Sequence, residues 1–171
     1  RYYKLEGYLF PDTYDFYQGE PVQNVVDKFL SNTENRITDA MRERAAELNM
    51  TMDEVITLAS IIQKEASNQN DMFNVSAVFH NRLNSKDMRQ LQTDTTNDYP
   101  SSKYDTYTIE GLPPGPICSP GLDAIEAALY PTEDFDAYYF ASDNNGKFYY
   151  AETYAEHQKN WEEIQRINGE S

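Results

Sequence analysis

A helix-rich α+β domain with one small β-hairpin is the fold class that this chain of 171 residues predicts. Three observations carry it. Apolar residues recur at helical spacing through most of the chain, twice behind a Thr-x-x-Glu box of the kind that starts a helix. One strong hairpin signal, Asp143-Asn144-Asn145-Gly146 between DAYYFA and KFYYA, stands near the C-terminus. No linker, internal repeat or low-complexity stretch divides the chain, so residues 1–171 are expected to share one core as a single domain.

The elements follow in order. LEGYLFPDTYDF is aromatic and ends in the Pro11-Asp12 turn, which predicts extended structure and loop. Pro21 opens a helix, at a position where its missing N–H costs nothing. Val22, Val25, Val26, Phe29, Leu30, Ile37, Met41, Ala45 and Leu48 carry the helical period to Met50, with a break expected within residues 31–35. Thr51 and Glu54 form a capping box, and Asp53 adds negative charge to the first turn of the next helix. Met52, Val55, Ile56, Ala59 and Ile62 give that helix a core stripe; Leu58, Ile61 and Glu65 form the row beside it. Another helix is expected from about residue 72 to 84, with Asp71 as its candidate cap. Residues 97–120 hold five of the eight prolines and predict an irregular loop, of a length that is usually functional or disordered. A short helix is expected over residues 122–129. After the hairpin, Thr153 and Glu156 form the second capping box, and Tyr154, Trp161 and Ile164 predict the apolar stripe of the last helix.

Charge and composition exclude several classes of function. The formal net charge of −15 argues against nucleic acid and against an anionic membrane surface as primary partners. An uncharged glycan, bound by stacking and hydrogen bonds, remains compatible. Fourteen Tyr against one Trp suit stacked sugars or peptides, although a Tyr-rich hairpin packed in a core explains them as well. With Cys118 as the single cysteine no intrachain disulfide forms, and its place between Pro116 and Pro120, without a flanking His, reads as structural. His80 and His157 lie 77 positions apart, each without a ligand-spaced partner, so the pattern calls for no metal and no other cofactor. No run of about 20 apolar residues is present.

Glu65 is the candidate catalytic residue. It continues the Leu58 and Ile61 row into the last turn of its helix, where the helix dipole is negative. Burial and dipole both disfavour the charged form and predict a pKa above the ~4.3 of a free Glu. A carboxylic acid still protonated near neutral pH is the proton donor that a glycan-cleaving enzyme needs. A solvated surface Glu, paired with Lys64 or Lys86, is the plainer reading of the same residue.

Six ordered motifs add a resemblance. LEGYLFPDTY, LASIIQKEA, VFHNRL, LQTDTT, YDTYTIEGLPPGPICSPGLDAIEAALYP and YYFASDNNGKFYYAETYAEH, between Leu5 and about His157, resemble the catalytic domain of the YceG-like family, the endolytic murein transglycosylases. The resemblance implies a lysozyme-like catalytic domain that cleaves nascent peptidoglycan glycan strands internally and leaves 1,6-anhydro-N-acetylmuramic acid ends. It puts the family's catalytic Glu, which closes an ASI…KE helix, on Glu65. It also implies a parent protein with one N-terminal transmembrane helix and a LysM-like subdomain. Such a protein works outside the cytoplasmic membrane beside cell-wall synthesis proteins such as penicillin-binding proteins. The chain starts at Arg1 without a Met, directly in patterned sequence, and is expected to be a fragment lacking that anchor and most or all of that subdomain. Thr95 departs from the LQTDPT form of some members, which touches loop rigidity more than chemistry.

A lytic transglycosylase can work with one carboxyl group, acid first and base second, whereas a hydrolytic muramidase needs a second carboxylate. Asp94 is the candidate for that second group; the role preferred for it here is to orient the loop or the sugar, as an Asp between two Thr readily does. Gln92 and Thr93 suit N-acetyl and hydroxyl groups of a substrate, with plain loop polarity as the other reading. Asn81 and Arg82 are candidates to line the groove, Arg82 the better of the two, or else form a helix-surface pair. Tyr8 and Tyr107 either stack on sugar rings or sit in the core. The Pro-Pro-Gly loop is expected to form a groove wall. A non-catalytic glycan-binding or scaffold domain stays open as a third class.

Overall fold

The computed structural model describes residues 1–169. Its helices are α1 (Val22–Arg36), α2 (Asp39–Glu47), α3 (Met52–Glu65), α4 (Gln69–Asn84), α5 (Leu122–Leu129) and α6 (Tyr154–Gly169). The strands are β1 (Tyr139–Ser142) and β2 (Phe148–Ala151), and two short 3-10 turns, Asp94–Thr96 and Ser102–Tyr104, punctuate the long loop. The chain is therefore helix-rich α+β, with a single antiparallel hairpin.

Helix α3 is the centre of the molecule. Every residue from Val55 to Ile62 is buried, so it is enclosed on all sides and not by one stripe. Helices α4 and α5 pack on it and on each other, and α2 closes a further side. Its start is the expected capping box: Thr51 Oγ1 accepts from Glu54 N–H at 3.2 Å and Glu54 Oε2 accepts from Thr51 N–H at 2.8 Å. Ser60, fully buried on this helix, donates to Thr57 O and accepts from Ile117 N–H at 3.0 Å. Gln63 Oε1 accepts from Gly121 N–H at 3.0 Å, and the Cys118 thiol donates to Ser60 O at 3.3 Å. The proline-rich loop is thus tied along α3. Burial pushes the Cys118 thiol up to about 11, which keeps it protonated in the structural role expected of it.

Two boundaries and one apolar stripe differ from the sequence reading. The break between α1 and α2 falls at Ile37 and Thr38, after the polar run 31–35 and not within it. Those polar side chains serve the N-terminal segment. Thr33 Oγ1 donates to Tyr8 O at 2.6 Å and Asn32 Nδ2 donates to Tyr14 Oη at 2.8 Å, so they stay helical. Helix α4 starts at Gln69, capped by Asn68, whose Oδ1 accepts from Asp71 N–H at 3.0 Å; Asp71 sits in the first turn and accepts the Tyr150 hydroxyl. In α6 only Ile164 of the expected stripe is buried, at 1% exposure; Tyr154 and Trp161 are 60% and 51% exposed.

The hairpin pairs Tyr139 with Ala151 through to Ser142 with Phe148. Its turn follows the Asp-Asn-Asn-Gly signal: Asp143 Oδ1 accepts from the Asn145 and Lys147 N–H groups, and Gly146 takes φ +79°, a conformation costly for a side chain with a Cβ. Helix α6 packs back on both strands.

Candidate active site

Glu65 closes α3, because Ala66 leaves the helix at φ −128°. The turn that faces it is held by three buried threonines. Thr93 N–H donates to Thr106 Oγ1 at 3.0 Å, and Thr96 Oγ1 donates to Thr93 O at 2.8 Å while lying 3.0 Å from Thr106 Oγ1. Gln92 enters this turn at φ +53°. The network aims the Thr93 hydroxyl at Glu65, to whose Oε1 it donates, and Thr95 Oγ1 lies 2.9 Å from Thr93 Oγ1.

Burial raises the pKa of Glu65 above the ordinary carboxylate range. The hydrogen bonds from Thr93 and Thr95 pull the other way, and the charge of Asp94 adds to the rise. Among the described residues Glu65 forms no ion pair, so the pairing with Lys64 or Lys86 does not occur.

Glu65 opens onto a cleft of about 710 Å³ together with Arg82, Gln92, Thr93, Asp94 and Tyr107. Such a volume suits a small ligand or a short stretch of a polymer. Asp94 Oδ1 accepts the Tyr107 hydroxyl at 2.7 Å, and burial together with this bond pushes the Tyr107 phenol up to about 12. Tyr107 is 43% exposed, a wall residue and not core. Arg82 lines the cleft as a brace: its guanidinium donates to Tyr138 O at 2.6 Å, Gln90 O at 2.8 Å and Gln92 Oε1 at 2.9 Å, and lies 5.0 Å from the centre of the Tyr139 ring. It joins the LQTDTT turn to the hairpin.

Three expected contributors lie elsewhere. Tyr8 donates to Asp53 Oδ1 at 2.6 Å with Arg1 over its ring, because the N-terminal segment packs against the start of α3, the end remote from Glu65. Asn81 spends its amide on Phe135 O and Ala137 O, fastening the chain ahead of β1. The Pro-Pro-Gly loop is absent from the residues lining the cleft, since its ties to Ser60 and Gln63 hold it along α3.

The far wall of the cleft went unread in the sequence. Tyr139 from β1 and Tyr154, His157, Gln158, Trp161 and Glu162 from α6 line it. The signal was present: these helix positions follow an i, i+3, i+4, i+7, i+8 spacing, but with His, Gln and Glu among them, which a core stripe does not carry.

With this geometry in place, comparison with known proteins is decisive. The profile of the YceG-like family matches residues 1–163. The chain belongs to the YceG-like family. The endolytic murein transglycosylase of Streptococcus pneumoniae serotype 2 (strain D39 / NCTC 7466) is 32% identical over 180 residues, covering 92% of this chain and 32% of that protein. That of Bacillus subtilis (strain 168) is 33% identical over 170 residues, covering 91% of this chain and 46% of that protein. A crystal structure of a yceG-like protein from Listeria monocytogenes superposes with a TM-score of 0.80 at 37% identity, covering 91% of this chain and 55% of that one. The chain thus spans about one third to one half of the curated relatives it matches.

Proposed function

We propose that this chain is the catalytic domain of an endolytic peptidoglycan lytic transglycosylase, with Glu65 as general acid and then general base. The observation that carries the reading is a half-buried carboxyl, held above its ordinary pKa and aimed by Thr93 into an open polar cleft. The relatives named endolytic murein transglycosylase support it. Protonated Glu65 donates to the glycosidic oxygen as the bond from C1 of N-acetylmuramic acid to N-acetylglucosamine breaks, while the substrate's acetamido oxygen stabilises C1. Ionised Glu65 then takes the proton of the 6-hydroxyl of the same sugar as O6 closes on C1. The acid is regenerated, water is not consumed, and the product is a 1,6-anhydro end.

On this reading the Tyr107 hydroxyl occupies one acceptor oxygen of Asp94, and Asp94 orients the turn and the sugar. Because Asp94 shares the cleft with Glu65, hydrolysis by the two carboxylates is the competing reading. We place the reaction on the extracytoplasmic side of the cell membrane, where peptidoglycan lies. There the parent protein, anchored by a single span, would act beside cell-wall synthesis proteins such as penicillin-binding proteins. Mass spectrometry of un-cross-linked glycan strands after incubation with the chain tests the chemistry. Anhydro ends, lost about 100- to 10,000-fold in Glu65→Gln and only slowed in Asp94→Asn, are expected. Reducing ends with both carboxylates indispensable would establish the hydrolase, and cleavage undiminished in Glu65→Gln would remove the acid.

A further inference from the structure

The single tryptophan of the chain stands half-exposed on a wall that the acid–base chemistry does not use. Trp161 projects from α6 into the same cleft as Glu65, with His157 one turn and Tyr154 two turns before it on that face. This wall is ordered. The His157 imidazole stacks on Tyr139 at 5.2 Å between ring centres with the planes 22° apart, Tyr154 lies 5.9 Å from Tyr139, and the Arg82 guanidinium lies over the Tyr139 ring. Rings held in place by one another, as Tyr139, Tyr154 and His157 are, lose little freedom when a flat apolar face settles beside them.

Two further observations specify the occupant. Nδ1 of His157 is buried without a hydrogen-bond partner, and burial lowers the His157 pKa, so the ring meets the cleft as a neutral face and not as a cation. Charge excludes an anionic occupant. Asp94 and Glu162 line the cleft, and Arg82, its one basic residue among those described, is spent on carbonyl oxygens. A neutral ring with an apolar face and amide groups fits this wall; the carboxylate-bearing stem peptide of the same strand does not.

We propose that Tyr154, His157 and Trp161 form an outlying sugar subsite that binds an N-acetylated hexose ring away from the bond being cut. The proposal rests on the lytic transglycosylase reading for its polymer but not for its binding. Its energy is made in ground and transition states alike, and so appears in KM.

Trp161 reports on its own site. In the Glu65→Gln chain, titration with the tetrasaccharide of N-acetylglucosamine is expected to change Trp161 emission saturably. Tyr154→Ala in that background should weaken the titration by about two- to tenfold. In the catalytically intact chain, Trp161→Ala should raise KM for glycan strands by a similar factor, with a smaller effect on kcat and partial recovery in Trp161→Phe. Emission unmoved by the tetrasaccharide, or moved only by free stem peptide, overturns the subsite. So does an unchanged KM in Trp161→Ala, while leaving the lyase reading in place. A saturable emission change in a chain that releases no anhydro ends keeps the subsite and removes the lyase.

Discussion

Glu65 ends a helix that is otherwise sealed in the core, so its carboxyl takes on part of the burial of the residues before it. An unfolded Glu titrates near ~4.3 and this one titrates higher in the native state. Between those two values the native state binds more protons, so stability falls as pH rises through that window and the ionised carboxylate remains a cost above it. Glu65→Gln removes that cost. Its Tm is expected to match wild type below pH ~4, where both are neutral, and to exceed wild type at alkaline pH. A lower Tm at alkaline pH would mean that the fold favours the ionised form. On the proposed mechanism the same direction governs activity: the reaction starts from protonated Glu65, so kcat/KM is expected to fall as pH rises through its pKa. Thr93→Val deletes a donor to the ionised carboxylate, which raises that pKa further and moves the alkaline limb to higher pH while kcat drops through lost orientation. A limb that moves to lower pH in the pH–rate profile would count against Thr93 as a donor to the carboxylate.

Individual elements converge on the cleft through one cation. Helix α4 presents Arg82 to both the LQTDTT turn and the residue before β1, so two walls separated in sequence are set by a single planar fork. Lysine carries the same charge without that geometry. Arg82→Lys is expected to leave some of these buried carbonyl oxygens unsatisfied, costing about 2–3 kcal/mol in chemical denaturation, and to raise KM through a looser cleft. Unchanged stability and KM would show that water replaces the fork. Asn81, one position earlier, fastens the same segment a little further upstream, at Phe135 O and Ala137 O. Adjacent polar residues on one helix therefore divide the work, since successive side chains point about 100° apart.

Across the whole molecule, the N-terminal segment and the proline-rich loop meet on the central helix at Gly7. That residue takes φ +90°, and a Cβ there would lie 2.8 Å from Pro116 Cβ and 2.9 Å from Ile56 Cγ2. Gly7→Ala is expected to cost about 2–4 kcal/mol, from backbone strain and overpacking together, read as a lower denaturation midpoint. A midpoint equal to wild type would mean that the segment and the loop separate freely. Tyr99 reaches back from the loop to donate to Glu6, and Tyr2 N–H donates to Tyr104 Oη at 3.0 Å, so this junction is polar as well as close.

Local chemistry determined what the sequence alone could show. The Thr51–Glu54 box, the Asp143–Gly146 turn and the apolar row ending at Glu65 depend on residues a few positions apart, and each formed as read. The motif order carried the family by the same short-range logic. Tertiary structure decided which side of each element meets the cleft. Exposed aromatics on a helix have the same spacing as buried ones, so Tyr154 and Trp161 read as core until the hairpin fixed the direction of α6. Tyr8 and Tyr107 are the same residue type in comparable loops. One became a partner of Asp53 and the other a wall beside Glu65, because only the folded chain chooses which carboxylate lies within reach of each hydroxyl.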